Sequence, residues 1–527
     1  SLVRPAAAYM LTVRGCSRVA HRAVATTKVR SRIAAAAAAF ASRTAPLLAS
    51  YEHTGDGAET ELLPKHGDGG FGRSNFIRDH AGERAMTDVY DVHGKLGEGG
   101  CGSVFTGQHK RTKETVAIKR VAKRSVADLD SMRAEVAFLK ATDHPNIVRL
   151  YETFECEDNL YLIMEKCSGG ELWQHILRAH DVGVGFGEPE LVVAAQQMLK
   201  ALAYCHAHNI VHRDVKPENF LYASGGAGAP LKLVDFGVSG VVSSILPGER
   251  FLTRTAGTDG YIAPEVLLSR PYGSAADMFS LGAVMHAAVV GIPPAWNSGT
   301  QAYHFPGRIR WRKLSKPAQA FLSRLVDPDP MARPAAVEAL QDPWITESSS
   351  AASASTLLSE DYVARMRRFG KMSKFQKCMR ASMVAFGLFH SPEMEHIKNI
   401  FLDADKDCSG EVSVDELSAL LGGDANKDDL KLLSRLDTSR NGVVAYSEWL
   451  AAAADDALFR DREGVLRAFE ALDRDGDGHI TVAEMERALP GVFKYGELAA
   501  QIQSCDADAD GTIDFEEFME LLRQVPA

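Results

Sequence analysis

Hydrophobic and polar positions divide the chain into blocks with different periodicities. From about Tyr90 to Trp344, strand-like and helix-like patterns follow one another over a span that suits one large two-lobed unit. From about Leu357 to Phe389, apolar side chains recur every three or four residues, which predicts an amphipathic helix. Four similar segments follow, and their loops begin 32, 36 and 33 residues apart. This spacing indicates an internal repeat.

The first 88 residues lack sustained periodicity. Residues 1–50 are rich in Ala, Arg and Ser and carry 8 basic and no acidic side chains, which is typical of an organellar transit segment. Because the chain opens with Ser1, an incomplete or wrongly extended gene model is the alternative interpretation. Residues 51–88 are rich in Gly and charged residues, which predicts a linker. The chain as given has no Met-Gly start, so we expect no N-myristoylation signal.

Composition and charge narrow the classes of protein. The chain is 46% hydrophobic and 24% charged, which is typical of globular domains. The net charge of −10 hides a segregation, because residues 391–527 carry 31 acidic and 13 basic side chains whereas the first 50 carry no acid. The basic blocks contain no recognition motif, so we expect no nucleic-acid partner.

Location is inferred from apolar runs and cysteines. The longest plainly apolar run, Ile33–Ala41, is far shorter than the roughly 20 residues that a membrane-spanning helix requires, so we expect no transmembrane span. The 8 cysteines form no C-x-x-C pair, which predicts a reducing compartment. We therefore expect a cytoplasmic location, with organellar import as the alternative if residues 1–50 are a transit peptide.

A glycine-rich segment and a lysine-bearing strand indicate phosphate binding. LGEGGCGSV, residues 96–104, spaces its glycines as G-x-G-x-x-G-x-V, so that backbone amides can approach a triphosphate, although alone it is equally a turn. VAIK, residues 116–119, favours a strand that directs Lys119 at phosphates, with Glu135 as its candidate partner. The candidate nucleotide-binding residues here are Leu96, Gly97, Glu98, Gly99, Gly100, Cys101, Gly102, Ser103, Val104, Ala117 and Lys119.

Three further motifs indicate phosphoryl transfer. HRDVKPEN, residues 212–219, supplies Asp214 as a base for a substrate hydroxyl and Asn219 as a magnesium ligand. DFG, residues 235–237, supplies Asp235 as the second magnesium ligand, and APE follows at 263–265. These five motifs and Glu135, in this order, make a chance surface triad negligible.

These motifs resemble the protein kinase family over about 255 residues. The resemblance implies a two-lobed fold with ATP in the cleft, Met164 as gatekeeper, and Glu165 and Cys167 in the hinge that binds the nucleotide. Lys216, two residues after the base, is the serine/threonine form of the catalytic loop. The resemblance also implies that Arg333 pairs with Glu265.

Two acidic residues resemble positions at which such kinases recognise their substrates. Glu171, which we also assign to the ATP site, and Glu218 match positions that bind basic residues upstream of the target hydroxyl, because a carboxylate can hold an arginine bidentately. The expected partners are therefore protein substrates with basic residues before the phosphorylated Ser or Thr.

The acidic C-terminal region contains four twelve-residue loops, at 405–416, 437–448, 473–484 and 506–517. Each has Asp first, Gly sixth and Glu last, as calcium coordination by six or more oxygens requires. Each also has an apolar residue eighth, which suits the short strand by which paired loops stack. The loops resemble the EF-hands of calmodulin and imply up to four Ca²⁺ ions. The candidate ligands are Asp405, Asp407, Ser409, Glu411 and Glu416; Asp437, Ser439, Asn441, Val443 and Glu448; Asp473, Asp475, Asp477, His479 and Glu484; and Asp506, Asp508, Asp510, Thr512 and Glu517.

The loops differ in ligand charge. Positions 1, 3, 5, 9 and 12 carry three carboxylates in the first loop, two in the second, four in the third and five in the fourth. Ala445 at position nine makes the second loop the weakest. Because charge is one determinant of affinity, we expect the last pair to load at lower calcium than the first.

A basic segment lies between the two regions. Residues 361–390 carry one acid, Asp361, and seven basic side chains: Arg365, Arg367, Arg368, Lys371, Lys374, Lys377 and Arg380. A basic amphipathic helix is typical of a calmodulin target, so this junction is expected to be the intramolecular target of the EF-hands. The alternative is a solvated helix that packs on the kinase.

The whole arrangement resembles the calcium-dependent protein kinases of plants and protists. It implies an α+β two-lobed protein kinase fold followed by an all-α calmodulin-like domain of four EF-hands, with calcium relieving inhibition by the junction. The predicted regions are 1–88 (extension and linker), 89–345 (kinase), 346–392 (linker and junction) and 393–527 (calmodulin-like). Two alternatives stay open: a pseudokinase scaffold with a calcium sensor, and EF-hands that are loaded constitutively.

Overall fold

A computed structural model describes most of the chain beyond residue 76. The described residues are 77–81, 85–99, 102–123, 129–183, 185–226, 228–236, 240–241, 252, 257–350, 359–386, 392–420, 427–438, 442–489, 492–494 and 496–524. The predicted transit segment and the candidates Gly100, Cys101, Ser439 and Asn441 lie outside them. All described elements belong to one unit, Leu62–Ala527.

The first lobe is built on a six-stranded sheet. Only the first two strands in its spatial order are parallel to each other, and that order is Arg78–Ala81, Leu150–Glu155, Asn159–Glu165, Thr115–Ala122, Gly102–His109 and Tyr90–Gly99. One short and one long helix accompany the sheet. The elements are β1 (Arg78–Ala81), α1 (Met86–Val89), β2 (Tyr90–Gly99), β3 (Gly102–His109), β4 (Thr115–Ala122), α2 (Leu129–Ala141), β5 (Leu150–Glu155) and β6 (Asn159–Glu165).

Strand β1 is a finding that the sequence interpretation missed. Residues 51–88 were predicted to be linker, but Arg78–Ala81 pairs along its full length with β5 and Met86–Val89 is helical. Four residues without repeated alternation give no periodic signal, and the strand exists because the edge of β5 offers unpaired backbone groups.

The second lobe is mainly helical. Its core is the apolar helix Ala275–Val290, which is buried on every side and packs against the helices Glu188–Ala207 and Lys316–Leu325. The elements are α3 (Leu172–Asp181), α4 (Glu188–Ala207), β7 (Ile210–Val211), the 3₁₀ helix Pro217–Asn219, β8 (Phe220–Tyr222), β9 (Leu231–Leu233), β10 (Gly240–Val241), α5 (Pro264–Leu267), α6 (Ala275–Val290), β11 (Ala295–Asn297), β12 (Ala302–His304), α7 (Arg308–Trp311), α8 (Lys316–Leu325), the 3₁₀ helix Pro330–Ala332, α9 (Ala336–Leu340) and α10 (Pro343–Ser350).

The junction consists of two helices instead of the single helix that was predicted. Helix α11 (Glu360–Lys371) starts at Ser359, whose side chain accepts a hydrogen bond from the Tyr362 amide, and α12 (Lys374–Phe386) follows after a break at Met372. At Met372 the backbone turns to an extended conformation, which ends the first helix. The predicted boundary at 346 falls inside α10.

The last region is helical, with two pairs of short strands. Its elements are α13 (Pro392–Ala404), β13 (Glu411–Val412), α14 (Val414–Leu420), α15 (Lys427–Leu436), β14 (Val444–Ala445), α16 (Tyr446–Ala453), the 3₁₀ helix Leu458–Arg460, α17 (Arg462–Leu472), β15 (His479–Ile480), α18 (Val482–Ala488), α19 (Glu497–Cys505), β16 (Ile513–Asp514) and α20 (Phe515–Arg523). Within the described part of the chain, no helix is both long and apolar enough to cross a membrane.

The junction and the last region share one hydrophobic core. Apolar junction side chains that were predicted to lie on one helix face, among them Met366, Phe369 and Met379, are buried with Trp449 and Phe518 of the EF-hand helices. The amphipathic face of the junction is therefore covered by the calmodulin-like region.

Candidate active site and calcium-binding loops

Lys119 is the centre of an ion-pair group between the two lobes. Strand β4 carries Lys119, and its Nζ lies 3.1 Å from Oε1 of Glu135 on α2 and 2.9 Å from Oδ1 of Asp235. Lys119 and Glu135 are both buried, and an unpaired lysine would be costly there. The structure thus joins three residues that are 16 and 116 positions apart in the chain.

Helix α2 is also connected to the catalytic loop by contacts between aromatic rings. Phe236, which follows Asp235, is buried between Phe138 of α2 and His212, with ring centroids 5.0 Å and 4.9 Å apart. The position of Glu135 is therefore coupled by packing to that of the HRD motif.

The glycine-rich segment lies where β2 and β3 pair, with Gly99 opposite Gly102. Gly102 has a φ of 135°, and a Cβ atom there would lie 2.2 Å from the carbonyl oxygen of Arg120. Only glycine fits this close approach of two strands. Leu96 is 53% exposed on the same segment.

The hinge candidates differ in what their side chains do. Met164 lies opposite Ala117 in the β4–β6 register. The carboxylate of Glu165 is buried 3.0 Å from Nζ of Lys232, and although burial raises its pKa, Lys232 and Arg149 hold that pKa below its usual value. The Glu165 side chain is thus committed to the second lobe. Burial raises the pKa of the Cys167 thiol to about 12.

Asp214 is held by hydrogen bonds from three side chains, one of which is Asn219, whose Nδ2 donates to Oδ2 of Asp214 over 3.2 Å. Thr258 Oγ1 donates to its Oδ1 over 2.7 Å, and Lys216 Nζ lies 2.7 Å from its Oδ2 and 3.0 Å from Thr258 Oγ1. Asn219 Nδ2 donates to the Asp214 carbonyl over 2.8 Å, so the metal-ligating atom it can offer is its amide oxygen. Sequence reasoning missed Thr258, which lies five residues before the APE motif.

Asp277 is a second residue that sequence reasoning missed. Its carboxylate is fully buried and accepts hydrogen bonds from the backbone amides of His212 and Arg213 and from His206 Nε2, each at 2.9 Å. Burial raises its pKa, but these donors hold that pKa below its usual value. Arg213 has a φ of 68°, which is an unfavourable backbone conformation beside Asp214. The hydrogen bonds from the two backbone amides to Asp277 stabilise this conformation. The motif DMFSLG was its only sequence signal.

The pair expected from the kinase resemblance is present in the second lobe. Arg333 binds Glu265 through two parallel hydrogen bonds of 2.7 Å and 2.8 Å, both partners being buried. This pair anchors the APE motif to the helical core.

The calcium loops are joined in two pairs by short antiparallel strands. Val412 faces Val444 and Ile480 faces Ile513, so the apolar residue at position eight packs against its counterpart in each pair. The position-seven candidates Glu411 and His479 begin strands β13 and β15, and Val443 and Thr512 immediately precede β14 and β16.

The first and last carboxylates of every loop turn inward. The position-six amides of Gly410, Gly442, Gly478 and Gly511 donate to the first Asp over 2.8–3.0 Å. The position-two amides donate to the last Glu over 2.6–2.8 Å. The first Asp and the last Glu of each loop are therefore both turned toward the backbone amides of their own loop.

Three loops gather carboxylates close enough to share one cation. Their oxygen atoms lie within 4.8 Å of one another in the groups Asp405, Asp407, Glu416; Asp473, Asp475, Glu484; and Asp506, Asp508, Glu517. Burial raises the pKa of Asp405 to about 7, and the neighbouring negative charges add to the rise. An all-oxygen, anionic set of this kind fits Ca²⁺. Asp437 and Glu448 turn inward in the second loop, whose Ser439 and Asn441 are not described.

Buried and exposed arginines bind the junction to the calmodulin-like region. Arg380 donates to Asp456 over 2.7 Å and to the Leu522 carbonyl over 2.9 Å, and it stacks on Phe459 at 4.2 Å. Arg368 reaches Asp456 from a more exposed position, at 3.2 Å.

Comparison with known proteins gives the family. The family model of the protein kinase domain matches residues 90–345, and that of the EF-hand domain pair matches residues 462–523. Calcium-dependent protein kinase 10 of Arabidopsis thaliana is 31% identical over 460 residues, which are 83% of this chain and 82% of that protein. The chain belongs to the calcium-dependent protein kinases. Two further relatives are similar. Calcium-dependent protein kinase 32 of A. thaliana is 32% identical, over 84% of this chain and 83% of that protein. Calcium-dependent protein kinase 5 of Plasmodium falciparum is 30% identical, over 84% of this chain and 79% of that protein.

Membership of the calcium-dependent protein kinases confirms several predictions. The chain is a calcium-activated serine/threonine protein kinase that uses ATP and Mg²⁺, and its EF-hands bind Ca²⁺. A two-lobed kinase fold followed by a helical EF-hand region is also confirmed. Its substrates are proteins, and the EF-hands have an intramolecular target.

Proposed function

We propose that this calcium-dependent protein kinase transfers the γ-phosphoryl group of ATP with Asp214 as the base. Lys216 stabilises the negative charge on the reacting oxygens. Lys119, oriented by Glu135, binds the phosphates, and Asn219 and Asp235 hold magnesium. When bound, magnesium neutralises charge that develops on the phosphates. In support, Asp214, Lys216 and Thr258 form one hydrogen-bonded group beside Asn219.

The roles of the hydrogen-bonded group follow from its chemistry. Thr258 and Lys216 orient the Asp214 carboxylate, and Asp214 accepts the proton of a substrate hydroxyl as that oxygen attacks phosphorus. Glu135 and Asp235 both pair with Lys119 and so fix the position of its Nζ.

For the switch, we infer that capture of the junction by the calmodulin-like region releases the kinase. One observation carries this inference: the apolar face of α11 and α12 is buried in the EF-hand core. Calcium in up to four loops favours that state, since a ligand stabilises the conformation it binds best.

Substrate preference is inferred from two carboxylates. Burial, and then the negative charge of Glu218, raise the pKa of Glu171. Glu218 Oε2 is buried and has no hydrogen-bond partner among the described atoms. A basic side chain upstream of the target Ser or Thr would supply the missing positive charge.

We also infer a cytoplasmic location for the kinase. All six described cysteines are free thiols, which is typical of a reducing compartment.

The test uses the full chain, ATP, Mg²⁺ and a serine peptide with upstream arginines. We expect phosphorylation with micromolar calcium and little with chelator. Asp214→Asn should lower the rate by about 10²–10⁴-fold without loss of ATP binding, because proton transfer is lost. Asp259→Asn, which changes an exposed carboxylate in the same loop as Thr258, is the matched control.

Each outcome has a clear meaning. Equal rates with calcium and with chelator would contradict the switch, and an unchanged rate in Asp214→Asn would contradict the assigned base. Equal rates on the arginine peptide and on its alanine counterpart would contradict the substrate preference.

A further inference from the structure

The first EF-hand loop lies against the kinase domain. Cys408, at position four of that loop, is 4% exposed and belongs to the hydrophobic core of the second kinase lobe. Gly410, at position six, lies so close to α4 that a Cβ atom there would be 2.3 Å from Cε2 of Tyr204. The turn of the first calcium loop is therefore packed on a kinase helix.

Polar contacts surround this apolar contact. Lys200, on the same helix α4, lies 3.8 Å from Asp403, just before the loop. Asp143 of the kinase accepts a 2.9 Å hydrogen bond from the amide of Ser447, and its own amide donates to the Tyr204 hydroxyl over 3.2 Å. Ser447 belongs to the second loop, which pairs with the first loop through β13 and β14. The second loop is thus anchored at the same place on the kinase.

The fourth loop provides a direct comparison. Ala509 has the same position in its loop as Cys408 and the same left-handed backbone, with φ of 63° against 56°, but it is exposed. A Cβ atom added to Gly511 would meet nothing described within 4 Å, and the same holds for Gly442 and Gly478. Among the described residues, apolar packing of positions four and six on a kinase helix is seen at the first loop, whereas the third loop lines a cavity with kinase residues such as Arg111 through Asp473 and Gly476.

We propose that helix α4 of the kinase, through Tyr204, forms a wall of the first calcium site, so that calcium binding to this loop and docking of the loop on the kinase stabilise each other. The inference deepens the proposed function and rests on the first loop being a calcium site. It predicts that the packing of Cys408 and Gly410 on α4 raises the calcium affinity of the first loop.

The physical basis is linkage between two sites. In the docked state the loop already holds Asp405, Asp407 and Glu416 within 4.8 Å of one another, with Asp405 buried. Burying clustered carboxylates without a cation is costly, whereas a bound cation removes that cost. Calcium therefore favours the docked state, and by reciprocity docking favours calcium.

The first experiment compares Cys408→Arg with Ala509→Arg in the full chain. Both place a long charged side chain at position four of a loop, and neither removes a ligand. We expect Cys408→Arg to weaken the first site roughly ten-fold, in the usual range of coupling between sites, while Ala509→Arg leaves that site unchanged. Titration calorimetry measures the affinities, and Glu416→Gln identifies the first site by its loss.

Hydrogen exchange gives a readout that is independent of activity. In the unaltered chain, calcium should protect the amides of residues 200–208 and 405–416 together. Cys408→Arg should lose this joint protection, and Ala509→Arg should keep it.

A second variant changes the kinase side and leaves the loop intact. Lys200→Glu places a negative charge opposite Asp403 and so opposes docking. Simple electrostatics predicts tighter calcium binding, because a cation near the loop is replaced by an anion. The proposal predicts weaker binding at the first site. Lys313→Glu, an exposed change elsewhere on the second lobe, is the control.

Three outcomes would overturn the proposal. Equal weakening by Cys408→Arg and Ala509→Arg would assign the effect to the loop backbone, and tighter binding in Lys200→Glu would assign it to local charge. If the Glu416→Gln variant bound as many calcium ions as the unaltered chain, the first calcium site of the proposed function would itself be wrong.

Discussion

At the residue scale, Glu114 of the kinase lies at the contact with the calmodulin-like region, and its pKa depends on that contact. It follows β3, its side chain is 13% exposed, and its Oε1 has no hydrogen-bond partner among the described atoms. Arg467 of α17 approaches Oε2 only to 3.4 Å. Burial therefore prevails over this weak pairing and raises the pKa of Glu114 to about 7.

This shift predicts a pH-dependent stability at the residue scale. The folded chain holds a proton on Glu114 up to about pH 7, whereas the unfolded chain loses it near pH 4.5. Stability is therefore lost as the pH rises from 4.5 to 7, by about 3 kcal/mol in total at 1.36 kcal/mol per pKa unit. Glu114→Gln should raise the melting temperature more at pH 8 than at pH 5.

Glu463→Gln is the control for this prediction, because Glu463 also binds Arg467, at 2.7 Å, but is exposed. Its melting temperature should follow that of the unaltered chain at both pH values. A gain in Glu114→Gln that does not vary with pH would contradict the assignment.

At the scale of elements, strand β1 supplies partners for a buried carboxylate of β5. Glu152 is 3% exposed and accepts a hydrogen bond from Tyr90. His80 Nε2 lies 2.9 Å and Arg78 Nε 3.4 Å from Glu152 Oε2, and the His80 ring stacks on Phe154 at 4.2 Å. Burial raises the pKa of Glu152, but Arg78, His80 and Tyr90 outweigh it and lower that pKa to about 2.

Removing both β1 partners should destabilise the first lobe. The double substitution Arg78→Ala, His80→Ala leaves a buried carboxylate with fewer donors, which costs about 2–4 kcal/mol. We expect the melting temperature to fall by roughly 5 °C or more. Glu157→Ala, an exposed change in the turn after β5, is the control, and an equal melting temperature in both variants would show that β1 contributes nothing.

At the scale of the whole molecule, Arg380 connects the junction to both ends of the last EF-hand pair. Asp456 precedes that pair and Leu522 lies in its final helix, and Arg380 binds both. Arg368 shares Asp456 but is 45% exposed. The buried contact should therefore contribute more to capture of the junction than the exposed one.

Kinase activation should reflect this difference. Arg380→Ala should raise the calcium concentration for half-maximal activity roughly ten-fold, because a buried charge-assisted bond is lost. Arg368→Ala should change it far less. Activity measured against free calcium tests this, and equal shifts in the two variants would mean that capture does not depend on the buried contact.

The local sequence was sufficient to predict each chemical motif. The glycine-rich segment, the catalytic loop and the calcium loops each lie within twelve residues. Their residue spacing therefore reflects the backbone turns that place Gly102 opposite Gly99 and Glu416 beside the start of its own loop. The apolar period of the junction likewise predicted its buried face, although the break at Met372 was missed because the period continues across it.

Tertiary structure alone decided which surfaces meet. Ser447 and Asp143 are 304 positions apart, and the sequence near neither residue differs from that of a solvated loop or helix start. Thr258, Asp277 and the contact of Cys408 with the kinase were missed for the same reason. A motif is encoded by neighbours in the chain, whereas an interface depends on the shapes and charges of surfaces that only folding brings together.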